Sequence, residues 1–210
     1  MFGNIDLVEI ALRIPVLLLA ITVHEYAHAR MAYHFGDDTA RLMGRMNLNP
    51  LSHLDPIGTL MILLAGFGWA KPVPINPLRF RNYRSGMLWV SFAGPLANFI
   101  FGFISLVLLA ILVRLGVQST LLIRFLGTLV QLNILLGVFN LVPVPPLDGS
   151  KILAALAPGS LLSLYRQIEP YAPLILILLI ATGLLGRIIF PVYALILTLF
   201  NAIVGLLPGL

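Results

Sequence analysis

The chain has no cysteine and only eight acidic residues in 210. The first absence excludes structural disulfides and thiolate metal ligands, and it leaves the redox compartment unreadable. The second makes every carboxylate worth placing. Charge of either sign is scarce, at 10%, and no low-complexity tail or polar linker marks off a second, soluble domain. What fills the chain instead is apolar: 60% hydrophobic residues and a mean hydropathy of +1.02. These values lie far outside the soluble range and indicate a polytopic membrane protein in contact with the lipid bilayer. The net charge of +5 is spread between apolar runs, a pattern that suits loops near anionic lipid and excludes nucleic acid as a partner. Asp6 and Glu9 stand where a signal peptide would be basic, so the first apolar run is expected to be retained.

The fold class expected is an all-α polytopic membrane protein, forming one domain over residues 1–210. Apolar runs predict spans over residues 7–33, 85–113, 121–141, 171–185 and 188–207. Residues 57–69 are apolar too, but too short for a full crossing and interrupted by Gly58, Gly66 and Gly68. The proline-rich run from Lys71 to Pro77 must be extended, because the residue before each proline is pushed out of the helical region. Residues 143–149 break helical structure again, and an amphipathic piece follows over residues 151–166.

Basic residues test this layout. Arg30, Arg41 and Arg45 follow the first span, and Lys71, Arg79, Arg81 and Arg84 precede the second. If residues 57–69 crossed the membrane, giving six spans, the two clusters would lie on opposite sides. A re-entrant segment keeps both on the cytoplasmic side, as the positive-inside rule prefers, and gives five spans with an external N-terminus. Arg114 and Arg124, at the external turn, count against this arrangement.

The chemistry concentrates in His24-Glu25-Tyr26-Ala27-His28. Histidines four apart share one face of a helix and can hold one metal ion, while Glu25 lies about 100° round, within reach of a water. A catalytic zinc needs three protein ligands and an open position. Depth points to Asp148 as the third: it follows the end of a span that runs in the same direction as the histidine helix, and Pro143, Pro145 and Pro146 can fold it back. Gly149 then gives the turn its freedom. His34 and Glu169 are the rival third ligands. His34 has the spacing of extended zincins, but Met31 stands where their glycine turn would be. His53 reads as a loop-structuring residue, Asn98 as a mediator of helix packing, and Arg79, Arg81 and Arg84 as topology anchors. A non-hydrolytic metal transporter or sensor would also want buried histidines, but it does not require Glu25.

HEYAH on the first helix, FAGPLANF on a later one and NLVPVPPLDG at the end of another resemble the site-2 protease family of intramembrane zinc metalloproteases. The match covers roughly residues 20–150, and GWAKPVPINPLRFRNYRSG is similar to its minimal prokaryotic subgroup, without PDZ or CBS domains. The resemblance implies one Zn2+ per chain held by His24, His28 and Asp148, with Glu25 as general base. It also implies that Asn140 contacts the substrate backbone, and that a small sheet lies between the first two core helices, around residues 41–80. The expected function is cleavage of transmembrane-helix protein substrates in regulated intramembrane proteolysis, in a prokaryotic cell membrane.

Overall fold

The computed structural model describes residues 7–55, 58, 70–158, 163 and 167–207. Seven α-helices are found among them. The first, α1 (Leu7–His34), is followed by the single turn α2 (Thr39–Leu42) and by 3-10 turns at Pro50–His53 and Pro77–Arg79. Then come the long α3 (Tyr83–Arg114) and α4 (Thr120–Asn140). The short α5 (Asp148–Leu156) and α6 (Ala172–Ala181) lead to α7 (Leu184–Gly205). Starts are set by capping residues: the Asn82 side chain accepts from Ser85 N–H, and that of Ser119 from Leu122 N–H.

Among the described residues three helices, α3, α4 and α7, are long and apolar enough to cross a membrane. The chain is therefore a mostly helical integral membrane protein, and these three helices match three of the five expected spans. α1 has the length, 28 residues, yet its second half carries His24, Glu25, His28 and Arg30. α6 has only ten residues, about 15 Å of helix against a hydrocarbon core of about 30 Å, and it ends where Gly183 turns left-handed at φ 70°. The expected span over residues 171–185 is thus a shorter helix that breaks before α7.

The small sheet expected around residues 41–80 is also not found among the described residues, which hold one isolated antiparallel bridge, Leu54 to Ala70. Pro72, Pro74 and Pro77 lack the N–H groups a ladder needs. The expected re-entrant segment, residues 57–69, lies outside the described residues apart from Gly58. The described chain on either side of it does come together: Lys71 N–H donates to His53 O at 3.0 Å and, further out, Arg81 N–H to Phe35 O at 2.9 Å. The chain returns to the end of α1 that it left, so the two basic clusters lie at one end of the bundle.

α3 is central and antiparallel to both neighbours. Along α1, Ala20 meets Asn98 and His28 meets Val90; along α4, Asn133 lies against Gly102 and Gly137 against Phe99. α1 and α4 are therefore parallel, as the depth reading of Asp148 requires. Val16, Leu126 and Leu129 close the apolar end of this trio. Val130, Ile134 and Val138 of α4 pack with Val142, Leu147 and α7's Leu185 and Ile189, which anchors the proline-rich break on both sides.

Residues 71–80 form a strap across the end of α1. Buried Asp37 accepts from Thr39 N–H at 3.0 Å and from Asn76 N–H at 2.6 Å. Arg45 Nη2 donates to the Lys71 and Pro72 carbonyls, and Arg79 pairs with Asp38. A buried carboxylate taking backbone N–H groups in this way substitutes for water and fixes both segments.

Candidate metal centre

Helical spacing brings His24 and His28 to one face of α1, and that face is buried against α3. Their outer nitrogens are fixed by groups with one hydrogen-bonding sense. His28 Nδ1–H donates to the Val90 carbonyl at 2.7 Å. His24 Nδ1–H donates to Asn98 Oδ1 at 2.6 Å. The Asn98 amide is itself oriented, because its Nδ2 donates to the Ala20 carbonyl at 3.0 Å and to Asn133 Oδ1 at 2.9 Å. Asn133 is oriented in turn by donation to the Leu129 carbonyl. Three backbone carbonyls, which can only accept, thus set the pattern: those of Ala20 and Leu129 dictate both amide orientations, and with that of Val90 they leave each histidine protonated at Nδ1. In the neutral imidazoles both Nε2 atoms are then bare acceptors.

Those acceptors face each other and a carboxylate. The Nε2 atoms are 2.9 Å apart, and Asp148 Oδ2 lies 3.1 Å from His24 and 3.0 Å from His28. All three residues are buried, and they form the group of metal-ligating side chains found among the described residues. Three lone pairs cannot converge in this way without a cation among them. A proton on one Nε2 is one solution. Burial then opposes ionisation of Asp148, but the adjacent His28 charge and the imidazole hydrogen bonds outweigh it and hold the carboxyl well below the usual range. A divalent metal satisfies all three atoms at once. The spacings approach the about 3.3 Å edge of a tetrahedron with zinc–ligand bonds of about 2.0 Å. The donor set of two imidazoles and one carboxylate also suits zinc.

The backbone leaves room for this cluster at one point. A Cβ on Gly94 would lie 2.4 Å from His28 Nε2 and 2.6 Å from His24 Nε2, so glycine is required by close approach. One residue later, Pro95 removes an N–H from the helix interior at the same level. Asp148 arrives through a break, residues 141–147, in which the Pro145–Pro146 bond is cis. Gly149 differs from its expected role. It is the second residue of α5, and a Cβ there would meet the Leu141 carbonyl oxygen at 2.2 Å. Its part is to let α5 press against the end of α4, which brings Asp148 back to the histidines. Lys151 Nζ, 3.3 Å from Asp148 Oδ1, occupies the carboxylate's other oxygen.

Glu25 shares with these residues a cavity of about 350 Å³. Its Oε2 accepts from Val73 N–H at 2.8 Å, so the strap aims the carboxylate and leaves its second oxygen free of that bond. Asn140 lines the same cavity and donates Nδ2 to the Leu136 carbonyl. A neighbouring cavity of about 700 Å³ shares Pro72, Met87, Asn140, Pro146 and Lys151, so the site opens along the strap and α5.

The rival ligands are elsewhere. His34 ends α1 with its ring against Phe35 and lines a different cavity. Glu169 starts an exposed 3-10 turn. His53 donates Nε2 to the Asn47 carbonyl at 3.0 Å, a loop contact as read from the sequence. Asn98 does join helices, but its oxygen serves the metal-site histidine, and Asn133 was not singled out by sequence. The available signal was general: a polar side chain within a membrane helix has a partner. Asn98→Ala is expected to weaken metal binding about 10–100-fold, the usual cost of losing a ligand's hydrogen-bond partner. Chelator competition would measure it, with helix content unchanged.

Comparison with known proteins points to zinc metalloproteases. The model of Peptidase family M50 matches residues 112–183. YwhC of Bacillus subtilis (strain 168), a candidate zinc metalloprotease by its name, is 43% identical over 196 residues, covering 89% of this chain and 90% of the relative. Rip2 of Mycolicibacterium smegmatis, named likewise, is 31% identical over 82% of this chain and 68% of its own length. Zinc metalloprotease MJ0392 of Methanocaldococcus jannaschii is 28% identical over 67% of this chain, a third (33%) of that relative. No solved structure gives a significant match. A near-full-length relative at this identity, together with a buried two-histidine, one-carboxylate cluster in a membrane helix bundle, makes the chain a member of peptidase family M50, the site-2 protease family of zinc metalloproteases.

Proposed function

We propose that the chain is a single-domain intramembrane endopeptidase that cleaves transmembrane-helix substrates, with His24, His28 and Asp148 holding zinc and Glu25 as general base. The observation that carries this reading is the convergence of two bare Nε2 atoms and a buried carboxylate in a cavity shared with Glu25. The zinc ion supplies Lewis acidity toward the peptide carbonyl and toward water. Glu25 takes the proton from the attacking water on the oxygen not engaged by Val73 N–H and delivers it to the leaving amine. Asn140, between the two cavities, binds the substrate backbone. The strap receives the locally unwound segment as an added strand. Val73 and Asn76 N–H are committed to Glu25 and Asp37, so such a strand pairs with the Ile75 amide and the carbonyls around it.

The basic residues gathered at the strap end support a cytoplasmic opening of the site in a prokaryotic cell membrane, and a role in regulated intramembrane proteolysis. α1 counts as a span on this reading, with its charged half lining the site. Glu25→Gln is expected to lower cleavage by roughly 10²–10⁴-fold, the usual contribution of a general base, while zinc content stays that of the parent. Membrane-protein fragments compared between cells carrying the active chain and the Glu25→Gln variant would identify substrates. Identical fragment patterns, or unchanged cleavage of a purified helical substrate, would refute the assignment. A transporter would keep its metal uptake in the same variant.

A further inference from the structure

A second cavity, of about 1050 Å³, lies on another flank of α1 and α3, away from the metal ligands. Its walls are one face of each helix: Val23, Ala27 and Arg30 on α1, and Ala93, Ala97 and Ile100 on α3. From Val23 to Arg30 at the mouth this wall spans seven residue steps, about 10 Å along the helix, within the hydrocarbon depth of one leaflet at about 15 Å. Its deep end is apolar and its floor is kept open by alanines. Its mouth, at the strap end, carries Arg30 and Arg81.

These two guanidiniums are exposed, and neither forms an ion pair among the described residues. The one carboxylate at the mouth, Asp38, is taken by Arg79. Tyr33 stacks beneath Arg30, 5.8 Å from its ring centroid, and beneath Arg41 at 5.2 Å, while Arg41 Nη1 donates to its hydroxyl. The mouth therefore has a net positive field with free, forked donors, and the walls of the groove below it are apolar apart from the Tyr26 phenol.

We propose that this α1–α3 groove is a binding site for an anionic phospholipid, its phosphate held by Arg30 and Arg81 and an acyl chain lying along Ala27, Ala93 and Ala97. Guanidinium forks match phosphate oxygens, and basic pockets between membrane helices hold anionic headgroups. A free phosphate would satisfy the mouth but would leave the apolar groove beneath unused, so the lipid is the occupant that fits both halves. The site is independent of peptide hydrolysis. It sits on the reverse flank of the helices that carry His24 and Asn98, where an occupant would brace the α1–α3 contact.

The test is native mass spectrometry of the full chain in detergent, titrated with dioleoylphosphatidylglycerol or dioleoylphosphatidylcholine, with melting temperature read in parallel. Preferential retention of phosphatidylglycerol and a rise in melting temperature are expected. Arg30→Gln and Arg81→Gln should each lower retention roughly fivefold, and Arg30→Lys should restore most of it. Ala97→Leu, which fills the groove and leaves both arginines, should also release the lipid. Zinc content at the parent level in each variant shows that the fold survives. Equal retention of the two lipids overturns the proposal, as does selectivity that survives the double arginine variant. Retention unchanged in Ala97→Leu reduces the effect to surface charge and overturns the groove. Unchanged lipid selectivity with a raised KM for a helical substrate in the arginine variants would mark a substrate dock instead.

Discussion

Asp148→Ala is expected to empty the site of zinc and to take peptide hydrolysis below detection, a larger loss than the roughly 10²–10⁴-fold expected for removing the base alone. The reason is geometric. Asp148 Oδ2 lies 3.0 and 3.1 Å from the two imidazoles, and it belongs to the one carboxylate that joins them in a metal-ligating group among the described residues. Two neutral imidazoles alone leave a buried divalent cation without charge compensation, and burying an uncompensated charge is costly. Lys151 would then face the same space with its carboxylate partner gone, which adds repulsion toward any cation. His34→Ala and Glu169→Ala should keep both zinc and activity, since His34 lies on another flank of α1 and Glu169 in an exposed turn. Metal analysis of the purified variants, read beside cleavage of one helical substrate, checks all three. Zinc and activity retained in Asp148→Ala would remove it from the ligand set.

Gly94→Ala should be nearly as damaging although it adds one carbon and no charge. The new Cβ would stand 2.4 Å from His28 Nε2 and 2.6 Å from His24 Nε2, inside any permitted contact. Neither ring can retreat at low cost, because each is held at Nδ1, by Val90 O and by Asn98 Oδ1. Relief has to come from moving α3 away from α1 or from turning the imidazoles, and both disperse the metal donors. Loss of most bound zinc is expected, measured by metal analysis, with the helical spectrum retained. Gly127→Ala is the matched control. That glycine is also helical, in α4, and a Cβ there would meet nothing within 4 Å, so alanine should stabilise by about 0.5–1 kcal/mol. If both substitutions were equally tolerated, the close approach of α3 to the histidines would be wrong.

Much of the site could be read before any fold was known. The four-residue spacing of His24 and His28, with Glu25 between, works on any helix, and local sequence makes α1 a helix. The choice of Asp148 over His34 was legible by direction: alternation of spans made α1 and α4 parallel, and helical rotation carried His34 away. Other readings stopped at chain-local information. Asn98 looked like helix glue, because nothing in its neighbourhood says that its oxygen would meet a nitrogen 74 positions earlier. Gly149 looked like a hinge, whereas its requirement is set by the Leu141 carbonyl pressed against it. The span over residues 171–185 was drawn from continuous hydropathy, which does not register the left-handed turn at Gly183. The sheet was expected by resemblance; the described residues hold one bridge of it, Leu54 to Ala70, and Pro72, Pro74 and Pro77 cannot donate to a ladder.

By itself the sequence determined a membrane-embedded helical chain, a histidine pair at metal-ligand spacing with the Glu25 carboxylate beside it, and a proline break leading to Asp148. Each of these depends on composition or on spacing within one element, which the chain order carries directly. The tertiary structure alone decided the protonation of the two histidines, through carbonyls and amides on α1, α3 and α4. It also decided the aim of Glu25, through the amide of Val73, and the opening for the metal, through the missing Cβ of Gly94. Those depend on distances of about 3 Å between segments far apart in the chain, and such distances exist only once the helices have packed.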